Sequence, residues 1–587
     1  MSCHNYIIIM ATLVAALDNY TPTQIGENCH TEYGWSTNMR EQILQYSFQV
    51  TRTTPDTLCD LGQRLENMLT SLKNTIDSGS LPEREVARGY LSVLYRMIGH
   101  TRDIVDGKGE YSLTYMMIYA WYKFYPELAK FALKCLVDLG DKTVHQYGSW
   151  KDIKYFCQYC KSQYGAENHK LILYAIELTN AQLKLDDETL IYGGDNISLV
   201  AKWIPRENSP FGWLNHHLAV SYFHYIDTAK TDSTRAKAIL KSKTEYRKML
   251  SQLNRKLDTL QIKQCGLTWS EIDFKNVTSI SMTKQKKAFQ NIKQDGSTRH
   301  SKNSDRTACA EHFESHIRTA IKDGAEVKGR RISMVDFTKQ ALSLLRHNNS
   351  LEVDLLNSQW RDSSSLSGDF GKMIAMVDVS GSMEGDPICA AIALGIRIAD
   401  KSVLGKRVMT FSAKPTWVNL ENYPDFVSQV GAIKQAEWGM NTNFYSALDT
   451  ILDAIIQNKM SPEDVQDMML VVLSDMQMDQ GDGCDKQALY NTMNAKYEAA
   501  GIRVHGKAYK PPHVLFWNMR STSGFPSLST QANCSMMSGF SPALLNLFCD
   551  QGMTALEACT PWSMLEKNLE NQRYKIMGDK LDQSIEV

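Results

Sequence analysis

Lys372-Met-Ile-Ala-Met-Val-Asp378-Val-Ser-Gly-Ser382 is the segment most informative about the fold of the carboxy-terminal part of the chain. Its apolar run is short and nearly continuous, as in a strand buried on both faces, and it ends in an aspartate followed by two serines. A second apolar run, Met468-Met-Leu-Val-Val-Leu-Ser-Asp475, also ends in polar residues. The two runs predict parallel strands whose polar ends lie at one edge of a sheet.

Segments with helical periodicity alternate with apolar runs throughout this part of the chain. Alternating strands and amphipathic helices are typical of a doubly wound α/β sheet. We therefore predict an α/β domain of Rossmann-like topology over residues 371–587. The other predicted strands are 407–412 and 513–517, and the predicted helices are 387–401, 444–457, 486–500 and 541–548.

Oxygen-bearing side chains follow the strands of this predicted sheet. Asp378, Ser380 and Ser382 lie in the turn after the first strand, Thr442 precedes a predicted helix, and Asp475 ends the second apolar run. Because ligands bind beyond the carboxyl ends of parallel strands, we expect these five side chains to converge. Carboxylates and hydroxyls are the ligands that Mg²⁺, or another hard cation such as Mn²⁺, prefers.

The order and spacing of these residues resemble the metal-ion-dependent adhesion site of von Willebrand A domains. That site reads Asp-x-Ser-x-Ser, then a Thr, then an Asp after a later strand, and this sequence matches all five positions. The resemblance implies a bound ion with an open coordination position, which a carboxylate from a protein partner fills. Hydrolysis would also need a positioned general base, and nothing singles out Glu384 or Asp386 for that role. We expect binding and not catalysis.

The preceding residues, 1–348, have helical periodicity almost throughout from about residue 40 to about residue 260. The lengths of the segments favour helical hairpins stacked into a HEAT-like repeat module. Residues 349–370, which include Ser363-Ser-Ser-Leu-Ser-Gly-Asp369, predict a linker before the α/β domain. The predicted fold class is therefore α plus α/β.

Several motifs in the helical region resemble TROVE modules, the helical-repeat rings of the Ro autoantigen and its relatives. They include Arg102-Asp-Ile-Val-Asp-Gly-Lys-Gly-Glu110, Tyr147-Gly-Ser-Trp-Lys-Asp152 and Leu199-Val-Ala-Lys-Trp-Ile-Pro-Arg206. Trp269-x-x-Ile272 and Phe516-Trp-Asn-Met-Arg520 are similar to two-domain proteins of giant viruses, plants and fungi that fuse such a module to an A domain. The function of that group is not established, so the resemblance implies architecture first, and we expect a giant-virus member.

The resemblance to TROVE modules also implies RNA binding through a basic surface. Residues 231–306 form a basic segment, and clustered cations bind polyanions by releasing counterions. Aromatic residues are few in that segment, which favours contact with the RNA backbone or a duplex over base stacking. The candidate phosphate ligands are Arg102, Lys108, Lys151, Arg206, Lys284, Lys286 and Lys287. Each of the first four could instead form an intramolecular salt bridge, and the basic segment could be a solvated surface.

Charge and cysteine content support a partner-binding protein of a reducing compartment. The formal net charge of −1 divides into +6 before Asp369 and −7 from Asp369 onwards. Thirteen cysteines are scattered without the spacing of a disulfide framework or a zinc site. Cys157 and Cys160 form one C-x-x-C pair, which is either two packed small residues or a metal or redox pair.

The apolar stretch Tyr6–Leu17 is shorter than the about 20 residues needed to cross a membrane, and no Lys or Arg precedes it. We expect it to be a buried helix of a soluble, intracellular protein, located in the host cytoplasm if the protein is viral, or in the virion.

These observations favour a non-enzymatic scaffold in which the helical module binds structured RNA and the α/β domain binds a partner through Mg²⁺. One alternative is a protein–protein assembly factor or virion component that does not bind RNA. A metal-assisted hydrolase is a third, less favoured alternative.

Overall fold

The computed structural model describes residues 21–347, 349–436, 438–439, 442–479, 489–548 and 558–586. These residues form two compact units. The first, here called the sheet unit, contains the described residues up to Thr101, the segment Asp106–Leu113 and the described residues from Glu326 onwards. The second, here called the helical unit, consists of Arg102–Val105 and Thr114–Ala325. The first unit is therefore assembled from both ends of the described chain.

The sheet unit begins with a small antiparallel hairpin, followed by helices. Asn38 and Thr54 cap the first two helices by accepting hydrogen bonds from amides of the first turn, which would otherwise lack acceptors. The elements are β1 (Thr23–Ile25), β2 (Thr31–Tyr33), α1 (Met39–Gln49), α2 (Pro55–Ser78) and α3 (Leu81–Arg102).

The helical unit is built from helices joined by turns. Helix α6 packs on α7, α9 packs on α7 and α10, and α12 packs on α13. The helices are α4 (Ser112–Phe124), α5 (Pro126–Cys135), α6 (Lys151–Tyr164), α7 (Lys170–Ile191), α8 (Val200–Trp203), α9 (Gly212–Phe223), α10 (Asp232–Leu257), α11 (Leu260–Gly266), α12 (Ser279–Phe289) and α13 (Ser304–Lys322). The prediction of a helical amino-terminal part is confirmed, and a regular repeat stays a prediction.

The chain returns to the sheet unit and forms a six-stranded mixed sheet. Its strands are β3 (Met373–Asp378), β4 (Arg407–Phe411), β5 (Thr416–Asn419), β6 (Met469–Ser474), β7 (His513–Asn518) and β8 (Cys534–Ser538). The strand order is β5-β4-β3-β6-β7-β8, and all neighbours are parallel except β4 and β5. Every residue of β3, β6 and β7 is buried, which explains their nearly unbroken apolar sequences.

Helix α16 packs against β3, β4 and β6, and α14 and α17 pack on α16. Met373, Ala375 and Val377 alternate along β3 towards this core. Helix α1, from the start of the chain, packs against β8 and α21. The helices are α14 (Met334–Leu344), α15 (Ser350–Ser364), α16 (Asp386–Lys401), α17 (Phe426–Gln435), α18 (Phe444–Gln457), α19 (Pro462–Gln466), α20 (Leu489–His505), α21 (Pro561–Leu569) and α22 (Lys575–Ser584).

Residues 349–370 do not form the predicted linker, because helix α15 occupies most of them. The Trp360 ring is buried and stacks on Phe426 with ring centroids 3.9 Å apart. The fully buried Arg397 of α16 also packs on this ring, with its guanidinium carbon 4.4 Å from the Trp360 ring centroid. Arg397 donates to Ser363 and Ser367, so serines that suggested a flexible segment are acceptors for a buried cation.

The predicted strands at 407–412 and 513–517 and the predicted helices at 387–401 and 444–457 are present within a residue or so of their predicted ends. Strands β5 and β8 and helix α17 were not predicted. The predicted helix at 486–500 begins outside the described residues, and its described part belongs to α20. Tyr6–Leu17 also lies outside the described residues. No helix among the described residues has both the length and the apolar character needed to span a membrane.

Candidate functional site

The candidate site lies where β3 and β6 end side by side. Strand β4 lies on one side of β3 and β6 on the other, so the direction of the chain connections changes here. Open α/β sheets place ligand crevices at this kind of crossover. Asp378 ends β3, Asp475 directly follows β6, and both side chains are fully buried. The sheet therefore delivers two carboxylates to one edge.

The Asp378 carboxylate accepts hydrogen bonds on both oxygens. Its Oδ2 accepts from Ser474 Oγ at 2.6 Å, and its Oδ1 accepts from the Ser380 amide at 2.9 Å. Burial, and after it the negative charge of Asp475, raise the pKa of Asp378 to about 7, although these hydrogen bonds oppose the rise. Two buried carboxylates that repel one another are stabilised by a cation placed between them.

Ser380 and Ser382 lie in the turn after β3. Their Oγ atoms are 3.1 Å apart, and Ser380 is buried while Ser382 is half-buried. Ser380 also forms a parallel bridge with Gly439, in the segment that leads to Thr442. The two hydroxyls are thus held next to one another, and the second loop is tied to the first.

The Thr442 hydroxyl is the clearest unfilled donor of the site. Thr442 is fully buried, and its Oγ1 makes no hydrogen bond to any described residue. Its backbone is clamped by Asp479, whose Oδ2 accepts from the Thr442 amide at 2.8 Å and whose amide donates to the Thr442 carbonyl at 2.9 Å. A buried hydroxyl without a partner costs about 1–3 kcal/mol, so a ligand for it is favoured.

Backbone hydrogen bonds bring the Thr442 loop to the edge where β3 ends. The Val379 amide donates to the Phe411 carbonyl, and the Asn443 amide donates to the Ser412 carbonyl. Both loops are therefore fixed to consecutive carbonyls at the end of β4. Asp378, Ser380 and Ser382 come from the end of β3 and the turn after it, Thr442 comes from the loop between α17 and α18, and Asp475 comes directly after β6.

Arg520 neutralises the second carboxylate. Asp475 Oδ1 accepts from the Gln477 amide, and Oδ2 lies 3.0 Å from Arg520 Nε and 2.9 Å from a terminal nitrogen of the same guanidinium. That guanidinium also pairs with Glu27 at 2.9 Å. Burial lowers the pKa of Arg520, but the two carboxylates outweigh it and leave the pKa above its usual value. A cation at Asp475 would share this carboxylate with Arg520.

The loop between β1 and β2 lies against the loop after β6. The Glu27 amide donates to the Gln477 side chain at 2.7 Å, and the Asn28 side chain donates to the Gln477 carbonyl at 2.8 Å. Cys29 and Asp479 form an antiparallel bridge. The amino-terminal hairpin therefore holds the segment that carries Asp475 and clamps Thr442.

The side chains fit a hard divalent cation by composition. Among the described residues, no group of three or more His, Cys, Asp or Glu side chains is placed to hold a metal. The donors at the sheet edge are instead two carboxylates and the hydroxyls of Ser380, Ser382 and Thr442, and such oxygen ligands suit Mg²⁺ or Mn²⁺. The buried Cys157 and Cys160 have thiol pKa values raised by burial, as expected for packed side chains.

Three residues with a role at this edge were not identified from the sequence. Ser474 precedes Asp475 in the quoted strand but carried no signal of its own, since a strand residue gives no indication of its cross-strand partner. Asp479 and Arg520 act across loops separated by many residues. A sequence signal exists only for Arg520, which ends a motif already noted for its similarity to other proteins.

Two of the candidate phosphate ligands are buried and have intramolecular partners. In the helical unit, Arg102 forms a bidentate ion pair with Asp152, with distances of 2.7 and 2.8 Å. In the sheet unit, Lys108 Nζ donates to the carbonyls of Ser47 and Val50 and to Ser538 Oγ. For Arg102 the ion-pair alternative is the one present, and Lys108 is held by neutral acceptors.

The other candidates lie in the helical unit and are more accessible. Lys151, Arg206 and Lys284 are exposed, and Lys286 and Lys287 are half-buried. Burial, and next the charge of Lys284, lower the pKa of Lys151, so these two ammonium groups are near one another. Lys151 of α6 and Lys284 of α12 thus contribute to one positively charged region.

Comparison with known proteins gives two findings. Residues 372–583 match the family model described as "Domain of unknown function (DUF7788)". The match begins at β3, ends in α22 and includes both Asp378 and Asp475. A protein of Acanthamoeba polyphaga mimivirus, described as "Uncharacterized protein L728", is 29% identical over 495 residues, which is 82% of this chain and 79% of the viral protein. The similarity therefore extends into the helical region that precedes β3.

Proposed function

We propose that the protein is a non-enzymatic binding scaffold. In this proposal the sheet unit holds a divalent cation in a von Willebrand A-type site and binds a partner through it, and the helical unit, a TROVE-like module, binds RNA. The observation that carries the first half is the buried Thr442 hydroxyl, which has no hydrogen-bond partner among the described residues, at the edge where Asp378 has a pKa of about 7. A bound cation would supply a ligand for the Thr442 oxygen and a positive charge that favours the ionised form of Asp378.

Asp378, Ser380, Ser382 and Thr442 would hold the ion, with Asp475 beside it. When bound, Mg²⁺ supplies positive charge and a coordination position for an oxygen ligand. Asp378 and Asp475 balance part of that charge, and Arg520 reduces the contribution of Asp475. The site then favours an additional anionic ligand, and a carboxylate of a protein partner has this chemistry.

The surrounding carboxylates support binding over hydrolysis. Asp386 is the nearest acidic residue of the same segment that is held in place, and its oxygens pair with Lys339 at 2.5 Å and with Arg52 at 3.2 Å. Partial burial acts to raise the pKa of Asp386, but the two cations outweigh this effect and leave the pKa below its usual value. Asp386 is therefore a weak base. Glu384 is exposed and has no described partner that positions it. Neither meets the requirement for a positioned general base.

The metal half is tested with Mn²⁺ and Mg²⁺ titrations of the full chain by calorimetry. We expect saturable binding to the wild type and none to Asp378→Ala. Glu384→Gln is the matched control, because it removes an exposed negative charge of the same turn and should bind as the wild type does. Equal affinity for the wild type and Asp378→Ala would remove the proposed site.

The partner is sought by affinity capture, first with Mg²⁺ and then with EDTA. A partner that dissociates in EDTA, and that Asp378→Ala does not capture, supports docking through the ion. Capture by both proteins alike, in either buffer, would contradict it.

The RNA half is tested by titration with a structured RNA at several salt concentrations. The exposed basic side chains of the helical unit predict binding that weakens as salt rises, because phosphate contacts release counterions. No binding at low salt, or binding that does not respond to salt, would reject this half. The protein–protein assembly alternative would then be the better description.

A further inference from the structure

A pocket of about 420 Å³ lies in the helical unit. Its lining comes from helices α6, α8, α10 and α11 and from the segment between α8 and α9. This volume is within the range of ligand sites, about 300–1,000 Å³. We call it the Trp203 pocket. The lining residues used below are Lys154, Lys202, Trp203, Arg206, Phe211 and Gln261.

Aromatic rings and ammonium groups alternate around this pocket. The Trp203 ring centroid is 5.1 Å from Lys154 Nζ, 5.5 Å from Lys202 Nζ and 6.0 Å from Lys151 Nζ. Lys154 Nζ is also 5.8 Å from the Phe211 ring centroid. Three ammonium groups thus lie around one half-buried indole, whereas a cation–π interaction needs only one.

No carboxylate among the described residues forms an ion pair with Lys151, Lys154, Lys202 or Arg206, although the negative charge of Asp152 acts to raise the pKa of Lys151. The nearest acids in sequence are already engaged, because Asp152 pairs with Arg102. Burial, first of all, lowers the pKa of Lys151, Lys154 and Lys202, and the neighbouring ammonium groups lower those of Lys151 and Lys154 further.

Glu207, which follows Arg206, pairs with Arg247 at 3.2 Å and so does not neutralise the pocket. An anion bound among these cations would therefore reduce their mutual repulsion. Gln261 is exposed at the rim and offers an amide to a polar ligand.

We propose that the Trp203 pocket binds a single-stranded segment of RNA, with one base stacked at Trp203 and the flanking phosphates paired with Lys151, Lys154, Lys202 and Arg206. This inference rests on the proposed RNA binding by the helical unit. The Asp and Glu side chains of a peptide supply charge but no flat ring, whereas each unpaired nucleotide supplies both. A duplex hides the faces of its bases, so it cannot fill the aromatic part of the pocket.

The test is fluorescence anisotropy of the full chain with a labelled hairpin RNA that carries a single-stranded tail. The comparison RNA is the same hairpin without the tail. The wild type should bind the tailed RNA more tightly. Trp203→Leu keeps an apolar side chain but removes the stacking surface, and it should weaken binding of the tailed RNA by roughly tenfold or more. Trp203→Tyr, which restores a ring, should recover most of the affinity.

Lys154→Gln and Lys202→Gln provide variants that leave the apolar packing in place. Each should weaken binding and reduce the salt slope for the tail by about 0.7, the value for one phosphate of a single strand. Lys184→Gln is the matched control, because Lys184 lies 5.6 Å from the Tyr222 ring centroid, outside both the pocket and the basic segment 231–306, and its loss should not change binding of the tail.

Three results would overturn the inference while leaving RNA binding intact. They are wild-type affinity in Trp203→Leu together with Lys154→Gln, equal affinity for the two hairpins, and competition by polyphosphate as strong as by a single-stranded oligonucleotide. Absence of all RNA binding by the wild type at low salt would instead reject the proposed function, and this inference with it.

Discussion

Asp378 lies in surroundings that favour its protonated form, since it is buried and close to a second carboxylate. Asp378→Asn removes that charge but keeps the shape of the side chain. In EDTA at neutral pH we expect the variant to melt a few degrees above the wild type, and we expect MgCl₂ to stabilise the wild type only. The melting temperatures with and without MgCl₂ measure both effects.

The same residue sets a pH dependence for the metal-free protein. The folded-state pKa of about 7 lies above the usual aspartate value of 3.8, so the folded chain binds the proton more tightly than the unfolded chain does. The free energy of unfolding should therefore fall as pH rises from about 4 to about 7, relative to Asp378→Asn. Parallel profiles for the two proteins would show that this carboxylate is ionised without cost.

Lys108 is a structural residue by its contacts, although the sequence suggested a phosphate ligand. Lys108→Met would remove the ammonium that donates to the Ser47 and Val50 carbonyls and to Ser538 Oγ, and would leave the two carbonyls with Ser538 Oγ as their side-chain donor. We expect a loss of roughly 2–4 kcal/mol in the free energy of unfolding, because hydrogen bonds from charged groups contribute about 1.5–3 kcal/mol each and Ser538 retains some of its bonds. RNA affinity should not change, and anisotropy at a temperature where the variant is folded checks this.

At the residue scale the sequence indicates donors better than it indicates their partners. Asp378 and Asp475 were identifiable because each follows an apolar strand. The partners Asp479 and Arg520 were not, since each pairing depends on how separate loops are folded together. The burial of Lys108 was hidden for the same reason, because its acceptors lie in α1 and β8.

Helix α15 shows how an element can be missed when its polar residues are taken as a sign of flexibility. Trp360→Ala removes a ring that packs on both Phe426 and Arg397. We expect it to lower the free energy of unfolding by about 3–5 kcal/mol, as for other large aromatic residues in a core. Leu366→Ala, at a side chain that is 50% exposed just beyond the helix, should change it by less than about 0.5 kcal/mol. Denaturant titration compares the two, and equal effects would restore the linker interpretation.

Arg520, in the loop after β7, partly neutralises the negative charge of Asp475. Arg520→Gln removes a cation that competes with the metal for this carboxylate, and we expect roughly tenfold tighter Mn²⁺ binding, with lower stability in EDTA. Glu27→Gln removes one carboxylate partner of Arg520 and leaves its pair with Asp475 in place, so it should not tighten Mn²⁺ binding. Calorimetric titration distinguishes the variants. Weaker binding by Arg520→Gln would mean that Arg520 positions Asp475 for the ion.

Elements with strong periodicity were predictable, and short or polar strands were not. Strands β3 and β6 have unbroken apolar sequences because they lie inside the sheet. Strand β5 is a four-residue edge strand whose side chains alternate between half-buried and exposed. Strand β8, Cys534–Ser538, is entirely buried although two of its residues are serines, and its pattern does not resemble an internal strand.

The division into two compact units predicts that the whole molecule does not unfold in one step. We expect two calorimetric transitions, of which MgCl₂ raises only the one that Asp378→Asn and Trp360→Ala also shift. Binding of a ligand to a folded unit raises the transition of that unit. A single transition, moved as a whole by MgCl₂, would show that the units unfold together.

The sheet unit uses residues from both sides of Thr114–Ala325, and this has a consequence for synthesis of the protein. Helix α1 leaves the ribosome long before β8 and α21, on which it packs. At roughly 5–20 residues per second, translation of the chain between α1 and β8 takes on the order of 25–100 s. For that interval the face of α1 that packs on β8 and α21 lacks these native partners, so binding by a chaperone would be an advantage while the later strands are made.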